Sequence, residues 1–219
     1  MGRPQSPNTA LLLIDIQGGF NDPVFWGPSR SNPSFETNIS SLLSSYRRLV
    51  SLSPSTHKII HVAHSSAYSP LQPFLPGFEF QAVATPLPSE TVMVKHVNSA
   101  FIGTSLHQTL REHFGGKPGK LWIVGLSTDH CVSTSVRMAE NLGVCDGKGP
   151  DGWKGVGEEG RGEKGELVLI EDATAAFEKG EFAAELVHQV HVQSLKGEFA
   201  EIRRTREVLE EWEGILGGE

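Results

Sequence analysis

At 219 residues the chain is long enough for one α/β domain with a sizeable core. Its formal net charge of -7 argues against nucleic acid or an anionic membrane surface as partner. No apolar stretch approaches membrane-spanning length and Met1–Asn8 lacks an apolar signal core, so a cytoplasmic protein is expected.

The first apolar run, Ala10–Ile16, reads as a strand; it carries Asp15 and is broken by Gly18 and Gly19. Ile39, Leu42, Leu43, Tyr46 and Leu49 recur at helical spacing within Phe35–Ser51. A second strand covers Lys58–Ala63, followed by a long loop from His64 to Glu90 with prolines at 70, 73, 76, 86 and 88. Val92–Lys95 is a third strand, and Ser105–Phe114 a short helix. A fourth strand, Leu121–Val124, ends at Gly125, and a helical pattern opens near Asp129 and closes near Leu142 and Gly143. Further on come a strand at Leu167–Glu171, a helix at Phe182–Leu195, a short strand at Phe199–Ile202 and a charged helix to about Trp212. Strand alternating with helix implies a parallel sheet covered on both faces. Gly143–Gly165 breaks the rhythm: nine glycines and neither period cannot bury enough apolar surface to offset the entropy of ordering them.

Three reactive side chains fall at strand ends. Cys131 follows the fourth strand where a helix begins, and the unpaired N–H groups of a helix N-terminus favour thiolate and could hold an oxyanion. Asp15 sits in a run apolar enough to be buried, where a carboxylate is costly unless paired or functional. Lys95 ends the third strand. In open α/β sheets ligands bind at the carboxyl ends of the strands. The helix N-terminus and Lys95 would depress the Cys131 pKa while Asp15 acts in the opposite direction, and the sequence leaves the winner open. Cys131 and Cys145 do not make a disulfide framework, and a reducing compartment is the simpler account.

The segments Asp15-Ile-Gln17-Gly-Gly-Phe20, Lys95-His-Val-Asn-Ser-Ala-Phe101 and Gly125-Leu-Ser-Thr-Asp-His-Cys131-Val132 resemble, in order and spacing, those of the isochorismatase-like cysteine hydrolases, the superfamily that includes nicotinamidases and N-carbamoylsarcosine amidase. Weaker likeness runs from about Leu11 to Leu209. The resemblance implies one domain over 1–219 with a Rossmann-like, three-layer α/β/α sandwich and a six-stranded parallel sheet. It makes Gly143–Gly165 an insertion, a surface loop in preference to an active-site lid. It also implies a catalytic triad: Asp15 as general base, Cys131 as nucleophile on an amide carbonyl and Lys95 as the charge that favours both anions. An oxyanion hole from the backbone N–H groups of Ser127 and Cys131, and a cis Leu126–Ser127 peptide, come with it. Isochorismatases proper do not use a cysteine nucleophile, so Cys131 points to amide-type C–N hydrolysis of a small molecule. The alternatives are a nicotinamidase-type enzyme whose metal site has drifted and a non-catalytic binding or scaffold protein.

No cofactor is expected. Nicotinamidases hold a metal through an Asp-x-His pair after the second strand, but here that stretch reads His61-Val-Ala-His64-Ser-Ser-Ala-Tyr68. Positions 61 and 64 point to opposite faces of a strand, so no metal site is expected from them. His188 and His191 could share a helix face, but two solvated histidines is the preferred reading. Phe101, then Phe20 and Trp26, are the candidate substrate-binding walls. Arg30 and Arg47 read as exposed by default. Neither nucleic acid nor membrane is expected as a partner; homo-oligomer formation, as dimer or tetramer, stays open.

Overall fold

The computed structural model describes residues 7–148 and 162–218. Most of the Gly-rich stretch, 149–161, lies outside the described residues. The strands are β1 (Thr9–Ile14), β2 (His57–His64), β3 (Thr91–Lys95), β4 (Lys120–Leu126), β5 (Glu166–Ala175) and β6 (Glu201–Arg203). The helices are α1 (Pro23–Trp26), α2 (Phe35–Leu52), α3 (Leu106–Phe114), α4 (Ser133–Asn141), α5 (Ala184–Leu195) and α6 (Thr205–Gly217). All strand pairs are parallel, and the sheet order is β3-β2-β1-β4-β5-β6. Among the described residues, no helix is long and apolar enough to cross a membrane.

The period-two alternation of strand side chains divides the core into two halves. Leu12, Ile14, Ile60, Val62 and Ile123 face Leu106, Leu110, Val136, Val192 and Leu195 of α3, α4 and α5. Leu11, Leu13, Ile59, Trp122 and Val168 face Ile39, Leu42, Tyr46 and Leu49 of α2 and Val208 and Trp212 of α6. That is the expected three-layer sandwich. β1 is buried along its whole length because it has strands on both sides and helices on both faces. The chain turns outward in opposite directions from β1 toward β2 and β4, which opens a crevice at their carboxyl ends.

Element ends differ from the sequence reading where polar residues sit inside a strand. β5 continues past Glu171 and Asp172 to Ala175, with its register against β4 shifting between Ile123 and Gly125. β1 stops at Ile14 because Asp15 takes a positive φ of 55°. β4 continues through Gly125, whose φ is 128° and whose missing Cβ would stand 2.0 Å from the Ile14 carbonyl oxygen. Only glycine lets β4 come that close to β1 beside Asp15.

Candidate active site

Parallel pairing puts the carboxyl ends of β1, β2, β3 and β4 along one edge of the sheet. Asp15 follows β1, His64 and Lys95 are the last residues of β2 and β3 and lie in register, and Cys131 follows β4. Lys95 comes from the edge strand, and its long side chain reaches past β2 to the centre. Its Nζ lies 2.7 Å from Asp15 Oδ2 and 3.1 Å from Cys131 Sγ. Lys95 also donates to the Val97 carbonyl at 3.1 Å and to His64 Nδ1 at 2.8 Å. The side chains of Asp15 and Lys95 are fully shielded from solvent.

Cys131 does not sit on the first turn of a regular helix. A single wide, π-type turn over Thr128–Val132 carries it, and α4 begins two residues later. Such turns recur at functional sites because they re-aim one side chain. Leu126–Ser127 is cis, as the resemblance implies. Behind the turn, Thr128 Oγ1 lies 2.9 Å from His188 Nδ1, and Asn32 Nδ2 lies 3.3 Å from His188 Nε2. His188 is therefore a buried support of the turn that carries Cys131, where the sequence suggested a solvated helix residue. In front of it, Gln17 clamps the end of β2: its Oε1 accepts from His64 N at 2.7 Å, and its Nε2 donates to the carbonyls of His64 (3.1 Å) and Phe78 (2.7 Å).

Burial pushes the Asp15 carboxyl up to about 6, against the lowering pull of the Lys95 ammonium. Burial also pushes the Cys131 thiol up, helped by the Asp15 charge and opposed by Lys95. The balance left open by the sequence thus falls toward thiol. Desolvation is the influence that a strand-end position alone does not reveal. His64 is held down to about 4 by burial and by the nearby charges of Lys95 and His96, so it is neutral.

Sγ of Cys131 opens on a cavity of about 150 Å³. Phe20, Phe25 and Trp26 make its apolar wall, and His64, Asn98 and Ser127 contribute polar edges. Phe20 and Trp26 stack at 4.6 Å, with Phe177 behind them at 6.2 and 5.7 Å. Phe101 does not line this cavity; it packs into the core with Ala100, Leu106 and Val132. Arg30 and Arg47 are not available as anchors, being paired to Glu36 at 2.7 Å and Glu90 at 2.7 Å. A hollow of about 530 Å³ lies at the opposite edge of the sheet, lined by Pro7, Lys117, Lys120 and Glu166, with no cysteine in its wall.

Sequence reasoning weighed His64 only as a metal ligand and passed over Asn98 and Phe25. Asn98 lies inside the Lys95–Phe101 segment, with its Oδ1 3.9 Å from Cys131 Sγ. Phe25 rides on α1, whose start was legible: Asp22 caps it by accepting from Val24 N and Phe25 N, and Pro23 follows.

Donor atoms of Asp15, His64 and Cys131 lie within 4.8 Å of one another, close enough together to resemble a metal-binding set. Lys95 Nζ contacts Asp15, His64 and Cys131 at 2.7, 2.8 and 3.1 Å, so a metal ion would compete with an ammonium for one position. The set does not fit a metal. His61 turns away to Glu90 at 2.9 Å.

The Isochorismatase domain family matches residues 9–207 of this chain. The chain belongs to the isochorismatase-like hydrolase family. Among curated members of that family, YrdC of Bacillus subtilis (strain 168) is 31% identical over 210 residues, covering 93% of this chain and 95% of YrdC. YddQ of the same organism is 29% identical, covering 92% of this chain and 98% of YddQ. The crystal structure of an isochorismatase-family protein from Chromobacterium violaceum is similar with a TM-score of 0.76 at 30% identity, covering 98% of this chain and all of that one. In this isochorismatase-like chain, as in the sequence reading, one sheet edge carries the three motifs.

Proposed function

We propose that this protein is a metal-independent cysteine hydrolase that cleaves an amide-type C–N bond of a small molecule through a thioester. The observation that carries the reading is the contact of Lys95 Nζ with both Asp15 Oδ2 (2.7 Å) and Cys131 Sγ (3.1 Å) beside a small cavity. A buried base, a nucleophile and a shared cation are what nucleophilic acyl transfer requires. A carboxylate near 6 is deprotonated at neutral pH yet basic enough to take a proton in the transition state.

Because the resting sulfur is a thiol, its proton moves to Asp15 as Sγ adds to the carbonyl carbon and the carbonyl π electrons pass to oxygen. Backbone N–H groups of Ser127 and Cys131 hold that oxyanion. Collapse re-forms the carbonyl and breaks the C–N bond, and Asp15 returns the proton to the departing amine. Water then adds to the thioester, giving its proton to Asp15. The second collapse releases a carboxylic acid, and Sγ recovers the proton. Phe20 and Trp26 offer flat apolar walls for the substrate. Cysteine in place of another group at this position favours C–N hydrolysis over vinyl-ether hydration.

The test is amine or ammonia release from a panel of primary amides and ureido compounds, with mass spectrometry of the Cys131 peptide during turnover. An acyl mass on Cys131, absent in Cys131→Ala, is the expected result. Turnover by Cys131→Ala at the wild-type rate sinks the covalent mechanism. EDTA should leave the rate unchanged; loss restored by zinc or iron would support the nicotinamidase-type alternative instead.

A further inference from the structure

The carbon that Sγ attacks carries three groups, and each needs its own surroundings. On the proposed mechanism the oxygen goes to the backbone N–H groups of Ser127 and Cys131, and the acyl substituent to the flat wall of Phe20 and Trp26. The departing nitrogen remains. In a primary or singly substituted amide it carries an N–H, and an N–H turned into a half-enclosed cavity needs an acceptor. An ester has no such group to satisfy.

Beyond Asp15 and Lys95, the side chain that reaches Cys131 Sγ is Asn98, whose Oδ1 lies 3.9 Å from the sulfur. A nitrogen one bond beyond the carbon joined to Sγ comes within hydrogen-bond reach of an oxygen at that separation. Asn98 lines the cavity, and among the described residues its side chain makes no other hydrogen bond. The backbone around it is pinned: the Val97 carbonyl accepts from Lys95 Nζ at 3.1 Å, and Ala100 N–H donates to Ser135 Oγ at 3.0 Å. The two histidines of the cavity are worse placed as acceptors. His64 Nδ1 is engaged by Lys95 Nζ at 2.8 Å, which puts the ring proton on Nε2 and makes that atom a donor. His130 Nε2 leans toward Asp129 at 3.5 Å.

We infer that Asn98 is a specificity-determining residue: its Oδ1 accepts an N–H of the departing nitrogen, so the site selects amides that carry such an N–H over the corresponding esters. The inference rests on the reading of Cys131 as the nucleophile of acyl transfer to a C–N substrate.

The experiment compares para-nitroacetanilide with para-nitrophenyl acetate, which share the acyl group and the nitrophenyl ring and differ in N–H against O. In both, Sγ bonds to the carbonyl carbon. The anilide then loses para-nitroaniline as C–N breaks and Asp15 returns the proton, and the ester loses para-nitrophenolate as C–O breaks. Asn98→Leu, close in size and without an acceptor, should lower the anilide-to-ester ratio of kcat/KM by roughly tenfold or more. Asn98→Asp keeps an oxygen in place and should hold that ratio to within about threefold of wild type. Effects on folding or on the sulfur divide out of the ratio, so a merely structural role leaves it unmoved. An unchanged ratio in Asn98→Leu overturns the inference, as does a fall in Asn98→Asp as large as that in Asn98→Leu. So does a wild type that the ester acylates but that leaves the anilide uncut. Should Asn98→Leu not fold, Asn98→Ala carries the same expectation. Failure of the underlying reading shows separately, as no acetyl mass on Cys131 from the ester, and takes the inference with it.

Discussion

Two lysines are buried at opposite edges of one sheet, and they are held in different ways. At the amino edge, Lys120 lies 2.8 Å from both Glu166 and Glu211, two partly exposed carboxylates, and they hold its pKa above the usual lysine range against the cost of burial. It ties β4 to β5 and α6 and has more negative charge around it than it needs. At the carboxyl edge, Lys95 has one carboxylate, one neutral imidazole, one carbonyl and one thiol. The cysteines repeat the contrast. Cys145, whose carbonyl accepts from Gly119 at the amino edge, is as buried as Cys131, and its thiol too is pushed up, but the charges that bear on it are carboxylates. The same residue types make a tie between elements where two carboxylates surround the lysine, and a close-set cluster of Asp15, Lys95 and Cys131 where only one does.

The largest expected effect tests that contrast at the thiols. Cys131→Ala and Asp15→Asn should each lower turnover by roughly a thousandfold or more, with the double variant little worse than either single one. Cys131→Ser should also be severely impaired, since a hydroxyl is far less acidic. Cys145→Ala should keep its turnover; loss there would erase the distinction between the edges. Next, the lysines: Lys95→Met strands a buried carboxylate and should cost about 3 to 5 kcal/mol in urea unfolding at pH 7. Lys120→Met should cost roughly 1 kcal/mol, because its carboxylates can turn to water. Similar losses at both positions would contradict the unequal dependence on the two lysines.

The pH dependence sharpens the comparison further. Asp15 titrates near 6 when folded against 3.8 as a free group, so its contribution to stability is full below 3.8 and lost as pH rises through 6. His64 titrates near 4 against 6.5, so its contribution is full above 6.5 and lost as pH falls through 4. In wild type the two oppose each other across this window. His64→Asn removes the second, so on acidification from 6.5 to 4 it should lose less stability than wild type, by roughly 2 kcal/mol. Parallel curves from urea titrations would show that His64 is not neutral in the fold. The turnover of wild type should have an acid limb near 6, set by Asp15. The smallest effect belongs to the wall: Trp26→Leu should raise KM by roughly three- to thirtyfold through lost ring contact, with kcat nearly kept.

The strand ends were legible because β1 and β4 are continuous apolar runs, and a charge at the end of such a run has few innocent explanations. Asp15, Lys95 and Cys131 could therefore be picked out by residue type alone. What joins them is set by register and reach: Lys95 must cross β2, and no local pattern encodes the length of that reach. His64 was set aside by a face-parity argument that asked only about metals, and parity was right as far as it went, since His61 faces Glu90. The question missed was whether the histidine meets a lysine, as His64 Nδ1 meets Lys95 Nζ at 2.8 Å. Phe101 was ranked ahead of Phe20 as a substrate wall, yet the turn after β3 sends it into the core with Leu106 while Phe20 stacks on Trp26. β5 appeared to end at Glu171 because Glu171 and Asp172 interrupt the apolar run. Those two residues are instead fastened to neighbouring elements: the Asp172 side chain accepts from Thr205 N and Oγ1 at 2.7 Å, and Glu171 pairs with Arg204 at 2.8 Å.

A sulfur kept protonated has a chemical life between turnovers as well as during them. Peroxides and disulfides react with thiolate, so a cysteine that ionises only as it bonds to substrate offers little to either. Cys131, shielded and with its thiol pKa pushed up by burial, should climb the oxidation ladder slowly. On the mechanism proposed above, the arrangement that defers ionisation to the moment of attack therefore also preserves the nucleophile during storage.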